Sequence, residues 1–358
     1  DKNPSTVFIV AEGTPTISII IPHWNGIETL SECLDSLKLS TYRSFEIIVS
    51  DNASTDGSQD WLKENHPDVL LLEHDNNYGY AGGCNRGALA ASGSFLLFLN
   101  NDTIQDAGWL EPLVDRIESD SSIAALQPKI LNYYERDLLD YAGGSGGHMD
   151  LFCFPFTRGR LFMDQEKDTG QYDRAEPCFW ASGTAIMVRR EMFEKSGGFD
   201  EIFFAHMEEI DLCWRLQAMG HKIWVEPQSI VYHKNAVSMP MYSHWKYYLN
   251  HRNSLLMLLS NYSIPVTFYV GLIRLMLEFV ALGYAAVKLD INHITGILRA
   301  LGWILIHPHT IISKRTRFRK HRRLRDGVIM NSMVHGSIAL EYHLLGKKTY
   351  LEIKSKAS

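Results

Sequence analysis

Cysteine is scarce in this chain and badly placed for its usual joint tasks. Five of 358 residues, Cys33, Cys84, Cys153, Cys178 and Cys213, are odd in number, far apart and never in a C-x-x-C pair. That argues against a disulfide framework and a zinc site and points to a reducing compartment. A global excess of positive charge is also missing. Lys and Arg number 35 against 41 Asp and Glu, a formal net charge of −6, so the overall balance gives no reason to expect a nucleic-acid partner. Long apolar runs are lacking near the N-terminus, where Val7 to Ala11 and Ile17 to Ile21 are both shorter than a signal-peptide core. The chain opens at Asp1 rather than Met, which leaves open a segment removed from its front. There is no internal repeat and no low-complexity tract.

What is present suits a globular protein. Hydrophobic residues make up 46%, enough for an ordinary core, in one large domain or one domain with an appendage. From Thr16 to about Leu131 short β-rich runs, ISIII, FEIIVS, VLLLE, FLLFLN and IAALQP, alternate with amphipathic stretches such as Thr29 to Leu39 and Asp106 to Glu118. This rhythm predicts an open, mostly parallel sheet flanked by helices, with ligands bound beyond the carboxyl ends of the strands. Asn132 to Glu176, with its AGGSGGHMD, reads as long loops or a mobile flap. Ala185 to Val188 reads as a strand, Met207 to Met219 as a helix, and Lys222 to Val225 as a strand entering a loop over Ser229 to Ser238.

Beyond about Met239 the character changes. Ser243 to Tyr262 reads as an aromatic helix, and Ile264 to Val287 is apolar at spanning length, interrupted by Arg274 and Glu278 at a spacing that pairs them on one helix face. A helix lying in the membrane interface is favoured over a true span, with a hairpin packed on the preceding α/β domain or on a second subunit of a homo-oligomer as the alternative. Another apolar stretch, Ile294 to Ile306, leads into SKRTRFRKHRRLR (313 to 325). The place of that basic run favours anionic phospholipid headgroups; a solvated helix or an RNA-binding arm are the other readings.

Polar residues at predicted strand ends carry the chemistry. Asp51, ending FEIIVSD, can accept a hydrogen bond from a base N–H, and the Ser54, Thr55 and Asp56 that follow can cap a helix. The segment Asn76 to Gly87 is a glycine-bearing loop running into a helix at Ala88 to Ala91, either a tight turn or a close backbone approach to phosphate or sugar. In LFLNNDT an apolar strand ends in Asn100, Asn101 and Asp102. Either they form an Asx cap, or Asp102 holds a divalent cation, Mg²⁺ or Mn²⁺, between itself and a nucleoside diphosphate, with the amides helping. In HMEEIDLCWRL, Glu208 and Asp211 share one helix side and Leu212 and Leu216 another. They are acids favoured by a helix N-terminus, or include a general base. His233, after a predicted strand, gains interest only from its company.

Taken in order, PHWNG, VSDNASTDGS, NNYGYAGGCNRG, FLNNDT, ASGTAIMVRREMFEKSGGFDE, HMEEIDLCWRL and VYHKNAVS resemble the family 2 glycosyltransferases, over roughly residues 16 to 240. Within that family the resemblance is to the rhamnosyltransferase-like branch that builds bacterial cell-surface glycans. It implies an α/β fold of the GT-A nucleotide-diphospho-sugar transferase type. The catalytic domain would span 1–240, with a donor half at about 16–131 and an acceptor half at about 175–240, followed by an apolar helical region at 241–313 and a basic tail at 314–358. The implied reaction is inverting transfer from a nucleotide diphosphate sugar, rhamnose favoured, to a saccharide hydroxyl. The acceptor is expected to be polyprenol-linked, and the enzyme peripheral on the cytoplasmic face of the cell membrane. Pro22, His23 and Asp51 would hold base and ribose, while Asn77, Gly82 and Asn85 lie along the donor beside Asn100 and Asn101. The family's Asp-x-Asp matches Asn100-Asn101-Asp102, with Asn in the first place, so Asp102 and His233 would hold the cation. Glu-Asp-x-Asp-Leu matches Glu208 to Leu212, placing Glu209 as base with Glu208 as its rival. Trp180, Ser182, Gly183 and Asp211 would border the acceptor. A sugar-nucleotide pyrophosphorylase should show a glycine-rich basic loop where this chain has PHWNG; a non-catalytic membrane scaffold of the same fold is the other alternative.

Overall fold

The computed structural model describes residues 14–235 and 243–354. Val7 to Ala11 and the end of the loop expected over Ser229 to Ser238 lie outside them. In chain order β1 (Ile17–His23), α1 (Ile27–Lys38), β2 (Phe45–Asp51), α2 (Ser58–Asn65), β3 (Leu70–Glu73), α3 (Gly79–Ala90), β4 (Phe95–Leu99), β5 (Thr103–Gln105), α4 (Leu110–Ser119) and β6 (Ile123–Asn132) form the first half. Then come β7 (Gly147–Met149), β8 (Pro155–Thr157), β9 (Arg160–Leu161), β10 (Asp164–Gln165), β11 (Glu176–Cys178), β12 (Ala185–Arg189), α5 (Arg190–Ser196), α6 (Glu208–Ala218) and β13 (Lys222–His233).

The main sheet runs β11-β13-β6-β12-β4-β1-β2-β3, with β5 on β13. Strands β3, β2, β1 and β4 are mutually parallel, and β12 enters antiparallel between β4 and β6. Because the chain lays β2 and β3 on one side of β1 and β4 on the other, the direction of winding switches at β1. The crevice of such a sheet opens there, at the carboxyl ends. Period-two alternation sorts the side chains. Ile19, Ile21, Leu97, Leu99 and Met187 face α1 and α4, while Ile20, Leu96, Phe98, Ile186 and Val188 face α3 and α6.

Three expectations need correction. The segment read as a loop before Ala88 is already helical from Gly79. Its glycines serve packing: a Cβ at Gly87 would overlap Ile20 of β1. The glycine-rich stretch expected as a mobile flap is buried from Gly143 to Gly147 and leads into a small four-stranded sheet, β10-β9-β8-β7. A Cβ at Gly147 would overlap the Trp180 indole, so glycine here buys close packing rather than mobility. The loop expected after Val225 is instead strand, since β13 continues past an irregularity between Glu226 and Ile230 as far as His233.

The C-terminal part is helical: α7 (His244–Asn261), α8 (Ile264–Val287), α9 (Ile291–Ile306) and α10 (Pro308–Arg319), with shorter pieces reaching Lys354. Leu256, Met257, Leu258, Tyr262, Val270 and Phe318 join the same apolar cluster as Ile20 and Leu212, so this part shares the core of the sheet. Helix α8 is long and apolar enough to cross a membrane. Its charged pair faces inward, with Arg274 and Glu278 each 1% exposed and the Arg274 Nε 2.9 Å from Glu278 Oε1. Arg274 also donates to the Phe152 carbonyl, and Glu278 meets His251. The basic run is partly consumed inside the fold: Lys314 is buried, Arg315 binds the Leu259 carbonyl, and Arg322 pairs with Asp326. Arg317, Arg319, Lys320, Arg323 and Arg325 remain at the surface. The headgroup reading of the whole run therefore narrows to those five.

Removing one partner of a buried pair strands the other charge. Glu278→Ala should cost about 3–5 kcal/mol, seen as a lower thermal midpoint, and Arg274→Met combined with Glu278→Leu should recover most of it. A Glu278→Ala protein that melts like the parent would show that the pair does not hold α8 in place.

Candidate active site

The carboxyl ends of β1, β2 and β4 collect the first group. His23 stands opposite Asp51 in the parallel register. Its Nδ1 lies 2.9 Å from the Asn101 amide nitrogen and its Nε2 2.9 Å from Ser58 Oγ. With the amide donating, Nε2 carries the proton and donates to Ser58. Burial lowers the His23 pKa despite Asp51 and Asp56, which keeps this arrangement neutral. His23 is thus a buried support that fixes Asn101. Asp51 is fully buried; its Oδ1 accepts from the Ser54 N–H at 2.9 Å and the Gln59 amide at 2.6 Å, while Oδ2 has no donor. A buried carboxylate oxygen left open beside a crevice is fitted to a ligand N–H. Pro22 is partly buried at the crevice wall, and Asn52, which sequence reasoning missed, ties this edge to α3 through the Gly79 carbonyl at 3.1 Å.

The second group forms because β5 pairs with β13, setting His233 opposite Thr103. This brings His233 Nε2 to 3.2 Å from Asp102 Oδ1, and its Nδ1 to 3.0 Å from Asp140 Oδ1. Asp140, not foreseen, accepts from the Asn235 amide at 2.6 Å and the Ala142 N–H at 2.8 Å. Its only sequence signal was an acid opening the glycine tract. A histidine held on its far nitrogen by a carboxylate is the usual outer support of a metal ligand. Burial alone would lower the His233 pKa, but Asp102 and Asp140 raise it to about 10, so the site calls for a positive charge. Among the described residues no three His, Cys, Asp or Glu side chains could hold a cation together. Asp102 and His233 fit as two ligands of a hard divalent cation whose other positions belong to substrate phosphate and water.

The third group faces the second across Gly183 and Thr184. The Asn100 N–H donates to the Thr184 carbonyl at 3.0 Å, and Gly183 N–H reaches the Glu209 carboxylate. The Tyr80 hydroxyl, also unforeseen although it sits inside a quoted motif, donates to the Gly183 carbonyl at 2.6 Å. Glu208 is buried and Glu209 partly so, and each has one oxygen without a donor. Burial raises both, and the Glu209 carboxylate raises Glu208 further; Glu209 is pushed up to about 7 and Glu208 well above the ordinary range. Glu208 therefore keeps its proton near neutral pH, and the more exposed Glu209 is the one able to exchange its proton with a ligand.

Other expected residues have structural partners. Asn85 clamps a loop, its amide donating to the Phe199 carbonyl at 2.8 Å and accepting the Phe199 N–H at 2.9 Å. Asn77 accepts the Gly79 N–H at 2.9 Å and so caps α3, and Gly82 makes room for the Tyr78 side chain and for Arg86. Trp180 is buried with its indole N–H on the His148 carbonyl at 2.7 Å, and Ser182 donates to the Ala142 carbonyl. Asp211 is 0% exposed and bound to Arg215 at 2.8 Å, Lys314 at 2.9 Å and the Asn261 amide at 3.0 Å, an interior charge node rather than an acceptor contact.

Comparison with known proteins bears on the family and the fold. The O-antigen biosynthesis protein RfbC of Myxococcus xanthus is 31% identical over 252 residues, 67% of this chain but 19% of that protein. The N-acetylglucosaminyl-diphospho-decaprenol L-rhamnosyltransferase of Mycobacterium tuberculosis is 27% identical over 239 residues, 62% of this chain and 77% of that one. Among solved structures, GalNAc-T7 with UDP, GalNAc and Mn²⁺ superposes with a TM-score of 0.60 at 18% identity over 92% of this chain and 57% of that one. S. aureus TarS 1-349 in complex with UDP does so with a TM-score of 0.55 at 15% identity, over 93% and 92%. At such identities the structures speak for the fold alone, which is of GT-A type. The family model described as "Glycosyl transferase family 2" matches residues 18–197, half of the chain, and the chain belongs to that family.

Proposed function

We propose that the chain is an inverting glycosyltransferase that moves a sugar, rhamnose favoured, from a nucleotide diphosphate donor to a saccharide hydroxyl. The observation that carries this reading is the two-residue bridge Gly183–Thr184, with the Asn100–Asp102 strand end on one side and Glu209 on the other. It sets a diphosphate edge against a base, the two demands of a single in-line displacement. Asp51 would accept the base N–H, and Asn101, fixed by His23, would orient the ribose or diphosphate. Glu209 takes the proton of the acceptor hydroxyl as that oxygen attacks the anomeric carbon. Asp102 and His233 would hold a divalent cation, Mg²⁺ or Mn²⁺, which when bound supplies charge neutralisation to the leaving diphosphate. The structural neighbour GalNAc-T7, solved with UDP, GalNAc and Mn²⁺, supports the donor class and the cation. A non-catalytic scaffold is the second reading, favoured by Asn100 where the family's first Asp is usual.

Glu209→Gln and Asp102→Asn should each lower transfer, assayed over a panel of nucleotide diphosphate sugars with Mn²⁺, by about 100-fold or more, the scale of a lost general base, with the parent's circular-dichroism spectrum retained. Near-normal turnover in either would remove that residue from its role, and a parent inert toward every donor, hydrolysis included, would favour the scaffold.

The pH dependence follows from the carboxylate pair. Glu209 works as its carboxylate, so kcat/KM should fall tenfold per unit as pH drops below about 7. Its folded pKa lies above the ordinary 4.5, so the stability it contributes is present below 4.5 and lost as pH rises toward 7. Glu208 keeps its proton, so its neutral mimic Glu208→Gln should leave the thermal midpoint at pH 8 and the acid limb close to those of the parent. An acid limb moved to lower pH would show instead that Glu208 is charged while Glu209 works.

The acceptor is inferred to be a polyprenol-linked saccharide met at the cytoplasmic face of the cell membrane. Support comes from the name of the mycobacterial relative and from the outer face of α8 and α9, where Phe268 is 70% and Met276 67% exposed. An apolar face of this size beside surface arginines suits a membrane interface. Changing Phe268, Met276 and Phe279 to Ser should release the protein from sedimenting anionic vesicles without lowering its thermal midpoint; undiminished sedimentation would move the face to a protein partner.

A further inference from the structure

Between the 3-10 turn Glu201–Phe203 and α6 the backbone takes a form that side chains disfavour. Phe204, His206 and Met207 have φ of 63°, 68° and 76°, three non-glycine residues with positive φ in a row of four. Such a segment persists only where its surroundings hold it. Met207 is immediately followed by Glu208 and Glu209, so the shape of this segment sets where the two carboxylates sit.

The holding groups come from α7, which the resemblance at residues 16 to 240 leaves out. Arg252 is buried; its Nη2 donates to the carbonyls of Ile202 at 2.8 Å and Phe203 at 3.0 Å. Asn253 is fully buried, and its amide nitrogen points at the carbonyls of Phe203, Ala205 and His206 at 3.2, 2.9 and 2.7 Å. The Arg252 Nε donates to Asn253 Oδ1 at 2.7 Å, which fixes the amide so that its two N–H groups face the carbonyls. Lys314 of α10 ties both ends, reaching Asp200 at 3.0 Å and Asp211 at 2.9 Å.

We propose that Asn253 is a positioning residue for the reaction: its amide, oriented by Arg252, holds the 203–207 segment in the form that keeps Glu209 turned toward Gly183 and the acceptor hydroxyl. The inference rests on the reading of Glu209 as the base. An aspartate at 253 would set an oxygen against three carbonyls, and an alanine would take this donor from the Ala205 and His206 carbonyls, leaving the Phe203 carbonyl to Arg252. In either case the segment relaxes toward negative φ and water reaches the carboxylates. The titratable groups facing the pair are Tyr80 and Cys84 from α3 and Cys213 one turn along α6, all raised by burial and uncharged at neutral pH. Hydration is then the change that the pair feels, and it lowers the pKa.

The test compares the full chain with Asn253→Ala and the milder Asn253→Ser, which keeps one donor. The expected result for Asn253→Ala is a kcat lower by about 100-fold, the cost of a misplacement on the order of 1 Å, with donor KM unchanged. Asn253→Ser should fall between it and the parent. NMR of the δ-carbon of ¹³C-labelled glutamate, assigned by Glu209→Gln and Glu208→Gln, should show the pair titrating about one unit lower in both variants, as carboxylates returned to water do. Should Asn253→Ala fail to fold, Asn253→Ser alone decides. A parent-like kcat, or a reduced kcat with an unmoved glutamate titration, overturns the positioning role. Near-normal turnover in Glu209→Gln instead overturns the base assignment, while the NMR shift still reports whether Asn253 shapes the segment.

Discussion

The cost of taking negative charge out of water governs the carboxyl edge of this sheet. Asp51, Asp102, Asp140, Glu208 and Asp211 are all more than nine-tenths buried. An ionised carboxylate moved unassisted into a protein interior costs several kcal/mol even after relaxation. Each therefore comes with a device, and the devices differ. Asp211 is neutralised by Arg215 and Lys314, which hold its pKa at about 2 despite burial. Asp102 and Asp140 share one imidazole. Asp51 leans on an N–H and an amide. Glu208, with no cation paired to it among the described residues, keeps its proton.

Those differences separate structure from chemistry. Asp211 has every strong contact it can use, so nothing is left for a ligand, and its contribution is to fix α6. Asp51 and the Glu208–Glu209 pair each retain a buried oxygen with no donor. Native interiors rarely tolerate such atoms unless a ligand or water completes them. The unsatisfied oxygens sit on opposite sides of the Asn100–Asp102 strand end. A donor nucleotide seated at Asp51 would put its diphosphate between them, which is why the edge reads as a transferase site rather than as a set of helix caps.

Much of this was legible in the sequence because it is local. Strand ends, the period-two alternation of β1 and β4, and the acids at the start of α6 are all properties of short windows. What was not legible depends on partners far along the chain. Asp140 meets His233 across 93 residues, and Asn253 reaches His206 across 47. The glycines of α3 and of 143–147 misled for a physical reason. Glycine marks both mobility and close approach, and only the neighbour that fills the space, Ile20 or Trp180, tells which. Asn85 and Asn77 show the same ambiguity: an amide near a crevice serves a ligand or a backbone equally well, and here each has a backbone partner, Phe199 and Gly79, that no short window reveals.

The C-terminal helices show why an apolar segment after a catalytic domain cannot be read from hydropathy alone. Helix α7 turns Arg252, Asn253 and Asn261 inward, against the grain of an amphipathic helix, because carbonyls of a positive-φ segment and the Asp211 carboxylate need donors there. Helix α8 does the same with Arg274 and Glu278, whose polar contacts run to Phe152, Ser254 and His251. Burying polar groups inward is what frees the outer face to be apolar. A helix that spanned a bilayer alone would have no such inner face, since its charges would lie in hydrocarbon. Two faces of opposite character therefore argue for helices packed on the body of the sheet rather than threaded alone through a bilayer. The positive-φ segment before Glu209 and the apolar face are carried by helices that share one core, so a change in their packing reaches both.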